Sequence, residues 1–244
     1  LKTDSPISLA GAFDDLHSRD VRLLHEASKL GPLVVRLLDD AAIERTTGKP
    51  PKFPLPERRY TLEAIRYVSR VEVIDKAEPA NPVTQSIDAS LLTSYPAPQP
   101  CPMNPESDRK KVLVTGTFDW LHSGHIRFFE EVSELGDLYA VVGHDANIRL
   151  LKGPGKPMFP EAQRCYTVGA IKFVKQAMIS SGSGWLDAEP EIVKLKPDIY
   201  AVNEDGDVPE KRAYCEKVGI EYVVLKRVPK EGLPRRSSTD LRGY

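Results

Sequence analysis

The 244-residue sequence predicts an α/β fold: two tandem units, each a parallel sheet flanked by helices, with the first unit degenerate. Three observations predict it: an internal repeat, an alternation of short strand and helix patterns, and a proline-rich stretch between the copies. Gly-Ala-Phe-Asp-Asp-Leu-His-Ser (Gly11 to Ser18) returns as Gly-Thr-Phe-Asp-Trp-Leu-His-Ser (Gly116 to Ser123). At a constant offset of 105, residues 9–40 match 114–145 without a gap, and 13 of those 32 positions are identical. After one inserted residue the match resumes, Phe53-Pro54 against Phe159-Pro160 and Tyr60-Thr61 against Tyr166-Thr167. Self-similarity at a fixed offset marks a duplicated structural unit.

The elements follow in order in the second copy. Lys111 to Thr115 reads as a buried strand ending at a glycine turn, and Ile126, Phe129 and Val132 at helical spacing predict a helix over 123–135. Residues 138–142 form a second strand and 161–173 a second helix. Further strands are expected at 174–179, 198–202 and 221–225, with helices at 188–195 and 208–218. Alternation of this kind implies a parallel sheet wrapped by helices. The first copy keeps the order only to about Asp75. Between the copies stand seven prolines from Pro79 to Pro105, which suit an extended linker or the irregular remains of the first copy's missing end. The expected division is a degenerate copy at 1–76, a linker at 77–110 and a working copy at 111–244.

Lys and Arg number 34 against 35 Asp and Glu, so the formal net charge is −1. That balance argues against general nucleic-acid binding, which needs a basic field. Cys101, Cys165 and Cys215 are far apart and lack metal-ligand spacing, and read as free thiols of a reducing compartment. No run approaches the roughly 18 apolar residues of a membrane span. No leader pattern opens the chain, so a cytoplasmic location is expected. The first residue is Leu rather than Met, as in a processed or partial chain.

The chemistry concentrates in Gly116-Thr-Phe-Asp-Trp-Leu-His-Ser-Gly-His125. Ligands of a parallel sheet bind beyond the strands' carboxyl ends, where this turn lies. A helix starting at Ser123 or Gly124 offers free N–H groups and a partial positive charge, a seat for phosphate. His122 and His125, three apart, can point at one anion, and Gly124 leaves room for its close approach. Incidental polar residues at a helix cap are the alternative. A metal pair would want a third ligand nearby, and none is evident.

The motif resembles the His-x-Gly-His signature of the cytidylyltransferase-like superfamily, and the likeness runs on through the second copy. Lys152-Gly-Pro-Gly-Lys-Pro157 is similar to the family's loop after the second strand, and Pro160-Glu-Ala-Gln-Arg164 to its Glu/Gln-Arg helix start. Leu195-Lys-Pro-Asp-Ile199 is similar to its Lys-Pro-Asp strand entry, and Arg236-Ser-Ser-Thr-Asp240 to its Ser-Thr-Thr helix start. The resemblance implies a Rossmann-like fold and nucleotidyl transfer. It implies His122 and His125 as catalytic groups at the α-phosphate, with Lys152 on the β- and γ-phosphates. It places Gly116, Thr117, Phe118, Gly124, Ser237, Ser238 and Thr239 around the nucleotide, with Arg164 there as a phosphate-binding arginine or else a structural one, and Asp119 at the acceptor or as a cap of the turn. Two departures stand out. The family's Gly-rich segment that reads base and ribose is here Asn203-Glu-Asp-Gly-Asp207, and the arginine before the Ser-Thr motif has three candidates, Arg227, Arg235 and Arg236.

In the first copy the seat reads His17-Ser18-Arg19-Asp20, and Thr47 stands where Lys152 does. A carboxylate repels phosphate, so this copy reads as catalytically dead; a rewired pocket is the alternative, since Gly11, Phe13, Asp14 and His17 persist. The tandem layout resembles the phosphoethanolamine cytidylyltransferases. The expected reaction moves CMP from CTP to a small phosphorylated alcohol such as ethanolamine phosphate or glycerol phosphate, as in phospholipid biosynthesis, releasing pyrophosphate. The alternatives are an adenylyltransferase using ATP on a sugar phosphate or similar acceptor, and a nucleotide-binding regulatory protein without turnover. Mg2+ is the implied cofactor, since a triphosphate needs a cation to screen its charge. The first copy is expected to act as a built-in partner, an internal pseudo-dimer, with a homodimer as the further possibility.

Overall fold

The computed structural model describes residues 4–77, 87–97 and 107–241; the side chains of Thr239 and Asp240 lie outside that description, as does Cys101. The chain forms two compact units, residues 1–95 and 96–244.

Unit one holds three parallel strands in the order β1 (Ile7–Gly11), β2 (Leu33–Leu38), β3 (Arg70–Ile74). Helix α1 (Ser18–Ser28) joins the first two; α2 (Asp40–Thr47) and α3 (Leu55–Glu63) lead to the third. Leu9, Val21, Leu24, Val35, Leu37 and Ile65, all at most 2% exposed, make its core. Residues 89–93, inside the proline-rich stretch, form a 3-10 turn that packs on α1, where Arg22 Nε donates to the Leu91 carbonyl at 3.0 Å.

Unit two is a five-stranded parallel sheet, in spatial order β6 (Val174–Ile179), β5 (Asp137–Val142), β4 (Lys111–Gly116), β7 (Ile199–Asn203), β8 (Glu221–Leu225). Its helices are α4 (Ser123–Leu135), α5 (Asp145–Lys152), α6 (Glu161–Gly169), α7 (Glu189–Leu195), α8 (Pro209–Val218) and the short α9 (Ser238–Leu241). Strand β5 is buried from Leu138 to Val142, as an apolar run covered on both faces must be. The chain runs outward from β4 to β6, then crosses to β7, so the order reverses beside β4. The β4–β5 ladder has six rungs, through Gly116–Val142, whereas β4–β7 has two, Val112–Ile199 and Leu113–Tyr200. Past Leu113 the two strands part, and a crevice opens at the point where ligands of such sheets bind.

Two elements differ from the sequence expectation. Helix α6 ends at Gly169 rather than 173, because the Ala170 N–H turns back to the Tyr166 and Thr167 carbonyls and the next residues feed β6. Helix α5 was not expected from the sequence, and of its apolar residues only Ile148 is buried, while Leu150 and Leu151 face solvent at 69% and 52% exposure. What starts it is His144, whose Nδ1 accepts from the Asn147 N–H at 3.2 Å.

Candidate active site

The turn after β4 is built around Phe118, a non-glycine residue at φ 47° whose ring folds back over Gly116. A β-carbon on Gly116 would stand 2.7 Å from Phe118 Cζ, so only glycine fits there. The ring is 7% exposed, 5.1 Å from the Phe129 ring and edge-on to His125 at 5.4 Å. Phe118 is therefore the floor beneath the histidine. The turn repeats in unit one, where Phe13 has φ 44° and a β-carbon on Gly11 would stand 3.0 Å from Phe13 Cε2. A positive φ at a bulky residue costs about 1–3 kcal/mol and persists only where the surroundings impose it.

Helix α4 begins at the far end of this turn. His122 is its N-cap and only 3% exposed; its Nδ1 accepts from the Gly124 N–H at 3.1 Å, which leaves the proton on Nε2. The His122 and His125 rings stack at 3.9 Å. His125 hydrogen-bonds the Trp120 backbone, while His122 Nε2 and His125 Nδ1 are both buried with no partner. Burial, then the nearby His125 and the Arg227 and Arg236 cations, drives His122 far below the ordinary histidine range. Burial and Arg227 lower His125 to about 4. Both rings are neutral at pH 7. A β-carbon on Gly124 would lie 3.0 Å from the His122 ring and 3.4 Å from the Arg236 carbonyl, so the helix start stays open only with glycine there.

A cleft of about 270 Å³ lies over this turn. Gly116, Thr117, Phe118, Asp119, Gly124, His125, Lys152, Ser237 and Ser238 line it, bringing together most of the residues that the motifs singled out. Lys152, the last residue of α5, reaches across to Thr117 Oγ1 at 2.7 Å. Ser237 and Ser238 stand at the start of α9; the Thr239 side chain lies outside the described residues. Of the three candidate arginines, Arg227 lines the cleft, bonded to Asp205 and to the Arg236 carbonyl. Asn203, Asp205 and Gly206 line the cleft within the segment that departs from the family pattern. Lys211 escaped sequence reasoning, because an isolated lysine after a helix-starting proline looks like any solvated one.

Two residues that the motifs left between ligand contact and structure serve as struts. Arg164, 2% exposed, spends its guanidinium on the Phe159, Thr117 and Gly143 carbonyls and on Asp145 Oδ1, at 2.6–2.8 Å. Four of its five N–H groups are so committed, and it does not line the cleft. Asp119, 4% exposed, accepts from the Met158 and Phe159 N–H groups through Oδ1 at 2.7 and 3.0 Å, so it fastens the 153–160 loop rather than the acceptor. Unit one repeats both devices. Arg58 holds the Phe53, Ala12 and Leu38 carbonyls and Asp40, and Asp14 accepts from the Lys52 and Phe53 N–H groups.

Where unit two leaves its helix start open, unit one closes it. Asp20, in the place of His125, turns its Oδ2 back to the His17 N–H at 2.9 Å in a capping box. His17 itself pairs with Asp15 at 3.4 Å, and that hydrogen bond raises it above the ordinary histidine range. Thr47, in the place of Lys152, bonds back to the Ile43 carbonyl. An internal carboxylate thus occupies the seat that a phosphate would need.

The cytidylyltransferase-like family matches residues 113–243 of the chain. An FAD synthase of Archaeoglobus profundus is 39% identical over 134 residues, spanning 54% of this chain and 83% of that protein. An FAD synthase of Ferroglobus placidus is 38% identical over 135 residues, 54% of this chain and 85% of that protein. Among solved structures, the lipopolysaccharide core biosynthesis protein from Thermoplasma volcanium is 29% identical, covering 50% of this chain and 99% of its own, at a TM-score of 0.42.

Proposed function

The chain belongs to the cytidylyltransferase-like family and is a nucleotidyltransferase, and from that premise we propose that it moves AMP from ATP to the phosphate of FMN, forming FAD and releasing pyrophosphate. The observation that carries this reading is the match to FAD synthases along almost the whole of unit two. CTP and a phosphorylated alcohol, favoured by the motif's family resemblance, find no such support in these relatives.

An oxygen of the acceptor phosphate attacks the α-phosphorus in line. The bond from that phosphorus to the bridging oxygen of the β-phosphate breaks, and pyrophosphate leaves with no covalent enzyme intermediate. His125 lines the cleft with the buried His122 ring stacked on it at 3.9 Å, and donors fixed in advance in a dry site would stabilise the negative charge that grows on the α-phosphate at little reorganisation cost. A bound polyanion would draw a proton onto His125 Nδ1 and turn that nitrogen into a second donor. Lys152 neutralises the β- and γ-phosphates, and Ser237, Ser238 and the α9 start close the far side. Arg164 and Asp119 act through the loops they hold. Among the described residues no three carboxylate, imidazole or thiolate groups stand together as a metal site. Magnesium is expected as the counterion that screens the triphosphate's charge.

Pyrophosphate release with ATP, CTP and other triphosphates, each against FMN, ethanolamine phosphate, glycerol phosphate and sugar phosphates, tests the reading. FAD formed from ATP and FMN is expected. Turnover only with CTP and a phosphoalcohol overturns it, and triphosphate binding without turnover points to a regulatory protein. The tandem layout further supports the first copy as a built-in partner of the second. Melting point, mass and turnover of the 108–244 fragment test that, and a fully stable, fully active monomer overturns it.

A further inference from the structure

The wall of the cleft formed by the end of β7 and the start of α8 presents a cation to which the transfer itself gives no task. Lys211, in the first turn of α8, lines the cleft with Asn203, Asp205 and Gly206. Its ammonium donates to the Gly206 carbonyl at 3.1 Å and lies 5.8 Å from the centre of the Tyr200 ring. That ring is held in place: Tyr200 is 1% exposed, and its hydroxyl shares a 2.7 Å hydrogen bond with Thr115 Oγ1. An ammonium has three N–H donors, so one is spent on Gly206 and two remain. Among the described residues no carboxylate closes an ion pair with Lys211.

The carboxylates of the same loop are engaged elsewhere, save for one oxygen. Both Asp207 oxygens meet Arg212, and Oδ1 also accepts from the Tyr222 hydroxyl at 3.2 Å. Asp205 gives Oδ2 to Arg227, which also donates to the Arg236 carbonyl at 2.7 Å. Asp205 Oδ1 has no hydrogen bond among the described residues, and its side chain is 52% exposed at the cleft. Asp205 immediately precedes the glycine whose carbonyl Lys211 holds. An unspent donor and an unspent acceptor thus stand on one wall, joined through Gly206.

We propose that Lys211 and Asp205 read the ribose of the nucleotide, Lys211 donating to one hydroxyl of its vicinal diol and Asp205 accepting from the other. This rests on the reading of the cleft as a nucleoside triphosphate site, and on neither the base nor the acceptor. A hydroxyl both donates and accepts, so a diol satisfies both groups at once. A phosphate only accepts, and it would face the Asp205 carboxylate with nothing to give. The donors suited to phosphate come from other elements, the starts of α4 and α9 and the end of α5. Lys211 is half-buried, and the lost hydration lowers its pKa below the ordinary lysine range. A ligand oxygen at the ammonium replaces the water that burial removes. Groups committed to a hydroxyl stay unpaired when a ligand lacks it, so this wall separates ribonucleotides from deoxyribonucleotides.

The test is titration calorimetry of the full chain, in magnesium, with ATP, 2′-deoxy-ATP, 3′-deoxy-ATP and inorganic triphosphate. Wild type should bind ATP about tenfold or more tighter than either deoxynucleotide. Lys211→Met should lose that preference against one deoxynucleotide, keep it against the other, whose missing hydroxyl belongs to Asp205, and bind inorganic triphosphate as wild type does. Lys211→Arg, which keeps a donor, should recover part of the lost preference. Equal affinity of wild type for ATP and both deoxynucleotides overturns the inference without recourse to any variant. So does a Lys211→Met chain that keeps both preferences, or one that binds inorganic triphosphate more weakly, which would make the lysine a phosphate ligand. Wild type that binds no nucleoside triphosphate at millimolar concentration would instead remove the underlying reading of the cleft.

Discussion

Two ring nitrogens, His122 Nε2 and His125 Nδ1, lie buried without a hydrogen-bond partner among the described residues, and such atoms call for an explanation. A donor used mainly in the transition state affects the rate constant. His125→Ala should therefore lower kcat by roughly a hundredfold or more with little change in the KM for the triphosphate, while His17→Ala leaves turnover intact. The same burial has a pH signature. The folded pKa values lie below 6.5, so below pH 6.5 the unfolded chain takes up protons that the folded chain refuses. Stability is then fully present above 6.5 and falls as the pH drops toward 4, where His125 protonates in the native state. Calorimetry from pH 7 to 4.5 should show that decline, and saturating ATP should flatten it. That the two histidines meet at one helix start was legible in their spacing, and the structure stacks their rings at 3.9 Å. Arg164 stayed open between two roles for the opposite reason: an arginine in a phosphate-binding motif looks the same in sequence whether its fork meets phosphate or four backbone and carboxylate oxygens. Arg164→Met should cost about 3 kcal/mol in urea unfolding, since it strands those buried acceptors.

At the scale of elements, the start of α4 and the start of α1 are one motif used in two ways. One is open to an outside anion, and the other is closed by Asp20. Transplanting the closure should work. Gly124→Arg with His125→Asp should abolish triphosphate binding in titration calorimetry and leave the melting point within a few degrees, because a capping box stabilises the helix it blocks. An unaltered affinity would show that the triphosphate does not use this helix start. Strand and helix positions in unit two were largely legible, since apolar runs and helical spacing reflect burial directly: 123–135, 174–179 and 221–225 agree residue for residue. Helix α5 was not, because its ordering comes from the His144 cap and from the Asn147 bonds to Gly184 rather than from an apolar stripe. Lys152 depends on that helix, so sequence could name the lysine without saying what holds it.

On the scale of the whole molecule, the repeat made the doubling of the fold plain, whereas the parting of β4 from β7 left no mark in the sequence, because strand pairing beyond the nearest neighbours is settled by packing. The two rungs between those strands have a mechanical consequence. Strand β4 pairs with β5 over six rungs and β5 with β6 over five, whereas β4 meets β7 over two, helped by the Thr115–Tyr200 hydroxyl bond. The sheet can thus be viewed as two plates, β4 to β6 and β7 with β8, joined along a short seam. A ligand held by Lys152 on one plate and by Arg227 and Asn203 on the other would work as a rivet across that seam. Amide exchange should report it: with ATP bound, residues 199–225 should slow more than 137–179, and equal slowing throughout would mean that the sheet moves as a single board. The rate at which the plates spring apart after transfer would then set how fast product escapes, so a variant that lengthens the seam should hold FAD longer while leaving the bond-making step untouched.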